Sequence, residues 1–367
     1  MLYNWQQSDW PNFKYNLSEI RDLLLTFAEK AGRVSGILSA LPSEVQAETI
    51  IDIMVSEAIK TSEIEGEFLS REDVVSSIRK NMGLITITEP IMDKRAEGIG
   101  KLMINVRSSF NDPISQESLF MWHSMLMEGN KGMNVGRWRS HLGPMQVISG
   151  AIGKEKVHFE APPSLNIVTE MDQFIDWFNE TGHGAKNEIK YAPVRSAIAH
   201  LYFESIHPFE DGNGRIGRAI SEKALAQSIG RPVLLSLSST IEKNKKEYYN
   251  ALENAQRSNE ITSWINYFIK TLLQAQFEAE NLIEYSLRKV KFFDQYKYQL
   301  NDRQLKVINR MLEEGPNGFD GGMNAKKYAD IANTSKATAT RDLQDLLVKD
   351  AFLVIGGGRS TRYRVNI

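Results

Sequence analysis

The sequence predicts a mainly α-helical protein that carries two small β-hairpins. Apolar residues recur at helical spacing over most of the 367 residues, as they do in the segment 43–66. Two short β-prone runs flank a glycine-containing turn within 145–163, which is the pattern of a hairpin. Beyond a polar, aromatic stretch at 295–302, the pattern becomes helix, turn, helix and a second hairpin. We therefore expect a helical core with a hairpin inside it, a helical amino-terminal region and a carboxyl-terminal winged helix-turn-helix.

Composition and charge are those of a folded protein without disulfides or a membrane span. Hydrophobic residues make up 42% of the chain, charged residues make up 25%, and the formal net charge is −2. That net charge gives no overall attraction to nucleic acid. The sequence has no cysteine, no run of eighteen apolar residues and no secretory leader, so we expect a cytoplasmic protein without a membrane partner.

Three of the predicted helices have clear start or stop signals. The first is expected to start with Ser43 as its N-cap and to stop at Gly66, because glycine commonly ends a helix. The second covers 191–207, and the third begins near Arg215 and stops at Gly230. A short polar loop is therefore expected between the second and third of these helices.

The segment IHPFEDGNGRIGR, residues 206–218, contains that loop and concentrates charged and glycine residues. Gly212 and Gly214 let the backbone turn tightly and bring its N–H groups close to a ligand at the start of the next helix, which is a favourable place for an anion. Arg215 and Arg218 are three residues apart on that helix, so both guanidinium groups can reach one polyphosphate. The segment therefore predicts a phosphate-binding site.

Two other side chains of this segment suit chemistry on a bound phosphate. Asp211 is a candidate magnesium ligand, because Mg²⁺ commonly binds one or two carboxylates together with phosphate oxygens. His207 is a candidate base near neutral pH. The alternative is a plain helix corner with a hydrogen-bonded histidine, and the paired arginines favour function over it. A dinucleotide fingerprint is disfavoured because a helix, not a strand, precedes the glycines.

The same segment resembles the signature of the Fic family, H-P-F-x-[DE]-G-N-G-R-x-x-R, at every fixed position. The resemblance covers about 95–285 and includes the hairpin sequence VHFEAPP and the downstream sequence EYYNAL. It implies a mostly helical core in which ATP donates AMP to a Ser, Thr or Tyr hydroxyl of a protein, while pyrophosphate leaves. Phosphate or phosphocholine transfer is a minor variant of this chemistry.

The resemblance also implies a role for individual residues. His207 is the general base and Asp211 binds Mg²⁺, whereas Phe209 is a core anchor and Glu210 has no assigned role. The nucleotide is bound by Gly212, Asn213, Gly214, Arg215, Arg218 and, bordering adenine, Tyr248 and Tyr249. The hairpin is a flap, residues 145–160, that docks the target protein as an added strand. His158 in this flap is expected to be structural or to contact the target.

The segment TSEIEG at the end of the first predicted helix places an acid on an inward face. Such a carboxylate is costly unless a cation pairs with it, and it lies where the helix dipole disfavours negative charge. The segment resembles the Fic inhibitory motif [ST]-x-x-x-E-[GN], with Thr61, Glu65 and Gly66 in place. The resemblance implies that Glu65 pairs with Arg218 and blocks productive binding of the γ-phosphate. We expect Glu63 and Glu67 to be solvated.

The last segment offers a second class of function. Residues 324–367 contain eight Lys or Arg against four Asp or Glu, and 336–348 would form the recognition helix of a DNA-binding module. The same architecture also serves protein interaction, including homodimer formation. The competing hypothesis is therefore a DNA-binding regulator in which the Fic core is a nucleotide-responsive switch. Removal of AMP from a modified protein, the reverse activity, also stays open.

We divide the chain into three regions. Residues 1–95 are a helical region with the inhibitory helix, 96–290 are the catalytic core, and 300–367 are the winged helix.

Overall fold

The computed structural model describes residues 2–84, 91–129, 134–150 and 156–367, apart from the side chains of Asn317 and Arg359. Helices predominate in these ranges, so the prediction of a mainly α fold is confirmed. In chain order the helices are α1 Leu17–Ser39, α2 Ser43–Ile64, α3 Arg71–Asn81, α4 Lys94–Ser108, α5 Gln116–Leu126, α6 Ile167–Glu180, α7 Ala192–Ile206, α8 Asn213–Ile229, α9 Leu237–Lys243, α10 Lys245–Ala255, α11 Thr262–Tyr296, α12 Asp302–Leu312, α13 Ala325–Ala332 and α14 Lys336–Val348.

Four strands form two antiparallel hairpins in the described ranges. Strand β1 (Gln146–Ser149) pairs with β2 (Lys156–Glu160), and β3 (Phe352–Ile355) pairs with β4 (Arg362–Val365). The first hairpin lies where the sequence predicts it, but the turn residues 151–155 of the predicted flap fall outside the described residues. None of the helices in the described ranges is long and apolar enough to cross a membrane.

The chain divides into two compact units. The larger unit comprises Met1–Ser35 and Ile50–Phe277, and the smaller one comprises Gly36–Thr49 and Glu278–Ile367. The boundary after Phe277 falls inside helix α11 rather than in a loop.

The larger unit is built around helix α7, which is buried on all sides. Every residue of α7 from Pro193 to Ile206 is buried, and α8 packs along it. The apolar residues of α2, α4, α5 and α6 complete the same core, which includes Val55, Leu102 and Phe174. Because α7 is fully enclosed, only the protein interior can supply partners for its polar side chains. Among the described residues, His200 Nδ1, the Tyr202 hydroxyl and Glu204 Oε1 have no hydrogen-bond partner.

The smaller unit has its own apolar core. Helices α12, α13 and α14 and the β3–β4 hairpin enclose Tyr328, Leu343 and Phe352. Asp342 on α14 is held by the Arg303 guanidinium at 2.9 Å and accepts from the Tyr328 hydroxyl at 3.0 Å. Helix α14 covers the residues predicted for the recognition helix.

Candidate active site

The loop between α7 and α8 has a backbone that changes direction at two left-handed positions. His207 ends α7 with φ 51°, which is uncommon for a residue with a side chain. Gly212 precedes α8 with φ 81°, and a Cβ at this position would lie 2.4 Å from Cε of Met127. Gly212 is therefore required for both its conformation and its space. Helix α8 begins at Asn213, two residues before the predicted start at Arg215, because Gly212 provides the turn.

A buried arginine holds the unusual backbone at His207. The Nε of Arg139 donates to the His207 carbonyl at 2.8 Å, and its Nη2 donates to the Pro162 carbonyl at 2.5 Å. The backbone N–H of Arg139 donates to the Pro208 carbonyl at 2.9 Å. Burial lowers the pKa of the Arg139 guanidinium to about 10. Arg139 therefore fixes the backbone position of His207.

The rest of the loop is held by side chains that bond its backbone. Asn213 accepts from the Phe209 N–H at 2.9 Å and donates to the Phe209 carbonyl at 2.8 Å. The His123 ring stacks on Phe209 with centroids 4.1 Å apart, and its Nε2 lies 3.2 Å from the Asp211 carbonyl. Because His123 Nδ1 accepts from the Gly136 N–H at 2.9 Å, Nε2 carries the proton and donates to Asp211. Phe209 is fully buried, as expected of a core anchor.

The end of helix α2 binds Arg218 through an ion pair and hydrogen bonds. Its Nη2 lies 2.8 Å from Oε1 of Glu65 and donates to the Thr61 carbonyl at 2.8 Å, while its Nε donates to the Thr61 hydroxyl at 2.7 Å. A Cβ on Gly214 would lie 2.2 Å from the same Glu65 oxygen, so glycine is needed there for the acid to approach. Burial lowers the pKa of Arg218, but the attraction of Glu65 outweighs burial and raises it overall. The predicted contact between Glu65 and Arg218 is present.

Arg215 is also paired, and its partner was not predicted. Its Nη1 lies 2.6 Å from Oε2 of Glu67, a side chain that is 25% exposed, and its Nη2 lies 3.7 Å from Oδ2 of Asp211. The expectation that Glu67 is solvated is therefore wrong, because the turn after Gly66 (φ 83°) leads the chain back to the start of α8. Glu63 pairs with Lys60 at 2.5 Å within α2 and is only 20% exposed.

His207 faces a second buried acid. Its Nδ1 lies 3.6 Å from Oε2 of Glu204, and in the described part of the chain this nitrogen has no hydrogen-bond partner. Burial raises the pKa of the Glu204 carboxyl, but His207, His200 and Arg218 outweigh burial and lower it overall. Glu204 therefore keeps a negative charge beside the His207 ring. Burial lowers the pKa of His200, which lies 2.8 Å from the Tyr248 hydroxyl.

These residues surround a cavity of about 710 Å³, a size that accepts a nucleotide. The loop, the flap and α10 form its walls. The predicted site residues that line it are Glu65, His207, Asp211, Gly212, Asn213, Gly214, Arg218, Tyr248 and Tyr249. Arg215 does not line the cavity and instead forms an ion pair with Glu67. Tyr248 is 1% exposed and Tyr249 is 37% exposed, so Tyr249 presents more of its surface to solvent.

The flap is attached to α10 by hydrogen bonds. His158 Nδ1 lies 2.7 Å from Oε2 of Glu253, and His158 Nε2 lies 2.6 Å from the Ser149 hydroxyl. The Arg257 guanidinium donates to the His158 carbonyl at 3.0 Å. Glu210, which had no assigned role, accepts from the Asn134 amide Nδ2 at 2.6 Å.

Asp211 has the surroundings that one carboxylate needs to share a magnesium ion with a bound phosphate. Its side chain is 55% exposed and lines the cavity, and its Oδ1 accepts from the Gly212 N–H at 2.6 Å. Mg²⁺ commonly takes one or two carboxylates from a protein and completes its shell with phosphate oxygens and water. The described residues contain no cluster of three or more His, Cys, Asp or Glu side chains suited to a metal.

Comparison with known families identifies part of the chain. Residues 113–225 match the Fic/DOC family, and residues 3–84 match a domain of unknown function, DUF4172. Residues 113–225 form a Fic/DOC family domain. This Fic domain contains His207 and the whole loop, and the flap lies within it.

Two relatives of the Fic domain are named protein adenylyltransferases. The chain is 25% identical over 155 residues to the protein adenylyltransferase fic-1 of Caenorhabditis elegans, which is 42% of this chain and 26% of that protein. It is 29% identical over 147 residues to a probable protein adenylyltransferase of Aquifex aeolicus, which is 40% of this chain and 38% of that protein. The matches thus span less than two fifths of the length of either relative.

A solved structure has a similar fold. A Fic family protein from Desulfovibrio desulfuricans superimposes with a TM-score of 0.55 at 21% sequence identity, and the match covers 97% of this chain and 98% of that one. At this identity the likeness supports the fold alone.

Some residues of the Fic domain site were missed because no local pattern marks them. Arg139 and His123 contact the loop from more than sixty residues away in sequence, and Glu253 reaches the flap from α10. Glu67 had a weak local signal, since it is a third acid within the five residues 63–67. Because Glu67 lies only two residues after Glu65, a cationic partner was to be expected for Glu67 as well.

Proposed function

We propose that this protein is an ATP-dependent protein adenylyltransferase, which transfers AMP to a Ser, Thr or Tyr hydroxyl of a target protein or of itself. The observation that carries the proposal is one cavity lined by His207, Asp211, the glycine loop and Arg218, inside a Fic/DOC domain. The protein adenylyltransferase names of two relatives support the same reaction.

In the proposed reaction the acceptor oxygen attacks the α-phosphorus of ATP. A bond forms between that oxygen and the α-phosphorus, the bond to the β-phosphate oxygen breaks, and pyrophosphate leaves. His207 takes the acceptor proton. The Glu204 carboxylate, 3.6 Å from Nδ1 of His207, stabilises the positive charge that the ring gains.

The start of α8 binds the phosphate chain in this proposal. The backbone N–H groups of 213 and 214 lie in the first turn of α8, at the positive end of the helix dipole, where an anion is favoured. Arg218 binds the γ-phosphate, and Arg215 the β-phosphate, once their carboxylate partners release them. Asp211 would hold Mg²⁺, which supplies positive charge to the phosphates when bound. Tyr248 and Tyr249 border the adenine.

We propose that Glu65 inhibits the enzyme by occupying Arg218. The buried guanidinium has one carboxylate partner at 2.8 Å, and a γ-phosphate would compete with that carboxylate for the same donors. The target protein adds as a strand to the flap, which places its hydroxyl near His207. The cost of leaving Arg218 without its carboxylate partner favours the inhibited state until a phosphate replaces it.

The test compares three purified proteins: wild type, Glu65→Gly, and Glu65→Gly with His207→Ala. Each is incubated with ATP labelled at the α-phosphate, Mg²⁺ and a host lysate, and protein-bound label is measured. We expect Glu65→Gly to raise labelling, and His207→Ala to lower it by about 100-fold or more, because a general base contributes roughly 10²–10⁴-fold. Mass spectrometry of the labelled band then identifies the target.

Three outcomes contradict parts of this proposal. Labelling of Glu65→Gly that does not exceed the wild type would count against inhibition by Glu65. Transfer that survives His207→Ala would exclude His207 as the base, whereas a complete lack of transfer in all three proteins would favour a nucleotide-responsive switch without catalysis.

We also propose DNA binding by 324–367 as a second candidate function. Helix α14 presents Lys336 and Arg341 on its exposed face, and Arg364 on β4 is exposed as well, as phosphate contacts require. An electrophoretic shift of duplex DNA by the full chain tests this. We expect a shift that Arg341→Ala weakens, whereas a shift without sequence preference that vanishes at moderate salt would leave only weak electrostatic attraction.

A further inference from the structure

We propose that Ser149, the last residue of β1, is a self-adenylylation site whose hydroxyl is activated by His158 and Glu253. This inference rests on the proposed function, because the AMP comes from ATP bound in the same cavity. Ser149, His158 and Glu253 all line that cavity together with the loop residues and Arg218.

The three side chains form a hydrogen-bonded chain from a hydroxyl to a carboxylate. The Ser149 Oγ lies 2.6 Å from Nε2 of His158, and Nδ1 of His158 lies 2.7 Å from Oε2 of Glu253. A carboxylate can only accept, so Nδ1 is the donor and Nε2 of the neutral ring accepts from the serine hydroxyl. A nucleophile, a base and an acid that orients the base are arranged in this order in serine hydrolases.

An irregularity in the hairpin brings His158 to Ser149. Val147 pairs with Phe159 and Ile148 pairs with Val157, so His158 is the extra residue of a β-bulge. Bulges redirect a side chain and are common beside active sites. The Arg257 guanidinium holds the His158 carbonyl at 3.0 Å, which fixes the bulged residue from the α10 side.

Charged side chains of both signs line the cavity next to this serine. Lys156 is the cross-strand partner of Ser149 and lines the cavity, as Lys246 does from α10. Lys245 also lines it, but its Nζ donates to the Ile64 carbonyl. The carboxylates that line the same cavity are Glu65, Glu204, Glu210, Asp211 and Glu253. In this proposal Lys156, Lys246 and Arg218 bind the anionic phosphate chain directly, since the cavity as a whole has no excess of positive charge.

The proposed transfer to Ser149 forms and breaks the same kinds of bond as transfer to a target protein. The Ser149 Oγ forms a bond to the α-phosphorus, the bond from that phosphorus to the β-phosphate oxygen breaks, and pyrophosphate leaves. The hydroxyl proton passes to Nε2 of His158, and the Glu253 carboxylate stabilises the resulting imidazolium. The product is an AMP ester of Ser149, which would also break the hydrogen bond between the two strands of the flap.

The competing interpretation is that these hydrogen bonds only attach the flap to α10. In that case Ser149→Ala would leave the His158–Glu253 pair in place, and self-labelling would be unaffected. In our proposal the same variant removes the acceptor atom. Ser149→Thr keeps a hydroxyl and is the matched control.

The experiment uses the full chain carrying Glu65→Gly, incubated with ATP and Mg²⁺ in the absence of other proteins. Intact mass and peptide mapping are expected to place one added AMP on Ser149. We expect Ser149→Ala to abolish that modified peptide and Ser149→Thr to retain it. AMP found on other residues, with Ser149 unmodified, overturns the inference and leaves the proposed function standing.

A second variant tests the role of His158 as a base. His158→Gln keeps a hydrogen-bonding side chain that cannot take the serine proton, so Ser149 modification should fall by about 100-fold. An unchanged rate overturns that role. If no variant takes up AMP on itself or on lysate proteins, the proposed function and this inference both fail.

Discussion

The first two turns of helix α8 and its third turn both bury charged side chains, but they stabilise those charges differently. In the first two turns, Arg215 and Arg218 are each 2% exposed, and carboxylates of a distant segment lie 2.6 Å and 2.8 Å away. Those carboxylates belong to Glu67 and Glu65. Each buried guanidinium charge is therefore compensated by an anion supplied from outside the helix.

In the third turn, burial favours the neutral form of each group. Burial raises the pKa of the Glu222 carboxyl to about 8, and nearby Glu57 adds to this while Arg107 opposes it. Burial lowers the pKa of the Lys223 ammonium to about 8. Its Nζ donates to the Ser109 carbonyl, which is neutral. Within the described ranges, neither group forms an ion pair that would hold it ionised.

The first two turns of α8 therefore form a site where one anion can replace another, whereas the third turn has only a structural role. A guanidinium held by a carboxylate from another segment can exchange that carboxylate for a phosphate, since both are anions with suitable oxygens. A carboxyl or ammonium group that burial drives toward neutrality has no such exchange. Substitutions in the first two turns should therefore change activity, and substitutions in the third turn should change only stability and its pH dependence.

Removal of Arg218 should have the largest effect. In the Glu65→Gly background, we expect Arg218→Ala to lower AMP transfer by about 100-fold or more, because one donor to a developing charge contributes roughly 10²–10³-fold. The measurement is incorporation of α-labelled AMP. Arg231→Ala is the matched control, because that arginine lies beyond the other end of α8 and donates to the Ala31 carbonyl at 2.9 Å. If Arg218→Ala and Arg231→Ala were equally active, the role of Arg218 would be structural, as we expect for Glu222 and Lys223.

The contrast also shows how far the sequence predicts this site. His207, Asp211 and Arg218 lie within twelve residues, so their meeting at one helix start follows from local geometry. For Glu65, its place on an inward helix face predicted only that it needs a cation. The resemblance to the Fic inhibitory motif identified that cation as Arg218. The helix periods likewise predicted α2, α7 and α8.

The remaining residues depend on contacts that sequence spacing does not encode. Arg139 binds the His207 carbonyl only because the chain folds in one particular way around α7. Glu204 is different, because it lies three residues before His207, and that helical spacing brings the two side chains together. The β-bulge that brings His158 to Ser149 could not be predicted from the alternation of polar and apolar residues along the strand. One extra residue moves the side chains that follow it to the other face of the hairpin.

Loss of Glu67 should have a smaller effect, because the acid is 25% exposed and such a pair contributes on the order of 1 kcal/mol. We expect Glu67→Gln to free Arg215 and tighten ADP and ATP binding by about fivefold, measured by titration calorimetry. Glu63→Gln is the matched control, because it removes the same charge from the same segment but breaks a pair with Lys60. Equal tightening in both variants would indicate a general charge effect rather than release of Arg215.

Substitution of Glu222 should change stability in a pH-dependent way. The folded pKa of about 8 lies above the ordinary value of 4.5, so the wild type loses stability as pH rises from 4.5 to 8. Glu222→Gln does not titrate, so its advantage in Tm should be smallest near pH 4.5 and reach a few degrees at pH 8. Thermal unfolding at both pH values measures this. An advantage that does not vary with pH would mean that Glu222 stays ionised, as the arginines do.

Substitution of Lys223 should have the smallest effect and the opposite pH dependence. Its folded pKa of about 8 lies below the ordinary 10.5, so the folded protein loses stability as pH falls from 10.5 to 8. Lys223→Met removes that cost but also the donor to the Ser109 carbonyl, which offsets part of the gain. Its Tm advantage should therefore be greatest at pH 7 and fade by pH 10. Because Glu222→Gln and Lys223→Met concern adjacent residues of one helix turn, opposite pH slopes would show that burial, rather than pairing, controls both charges. Parallel slopes would instead point to a shared change in the helix and would remove the distinction between its third turn and its first two.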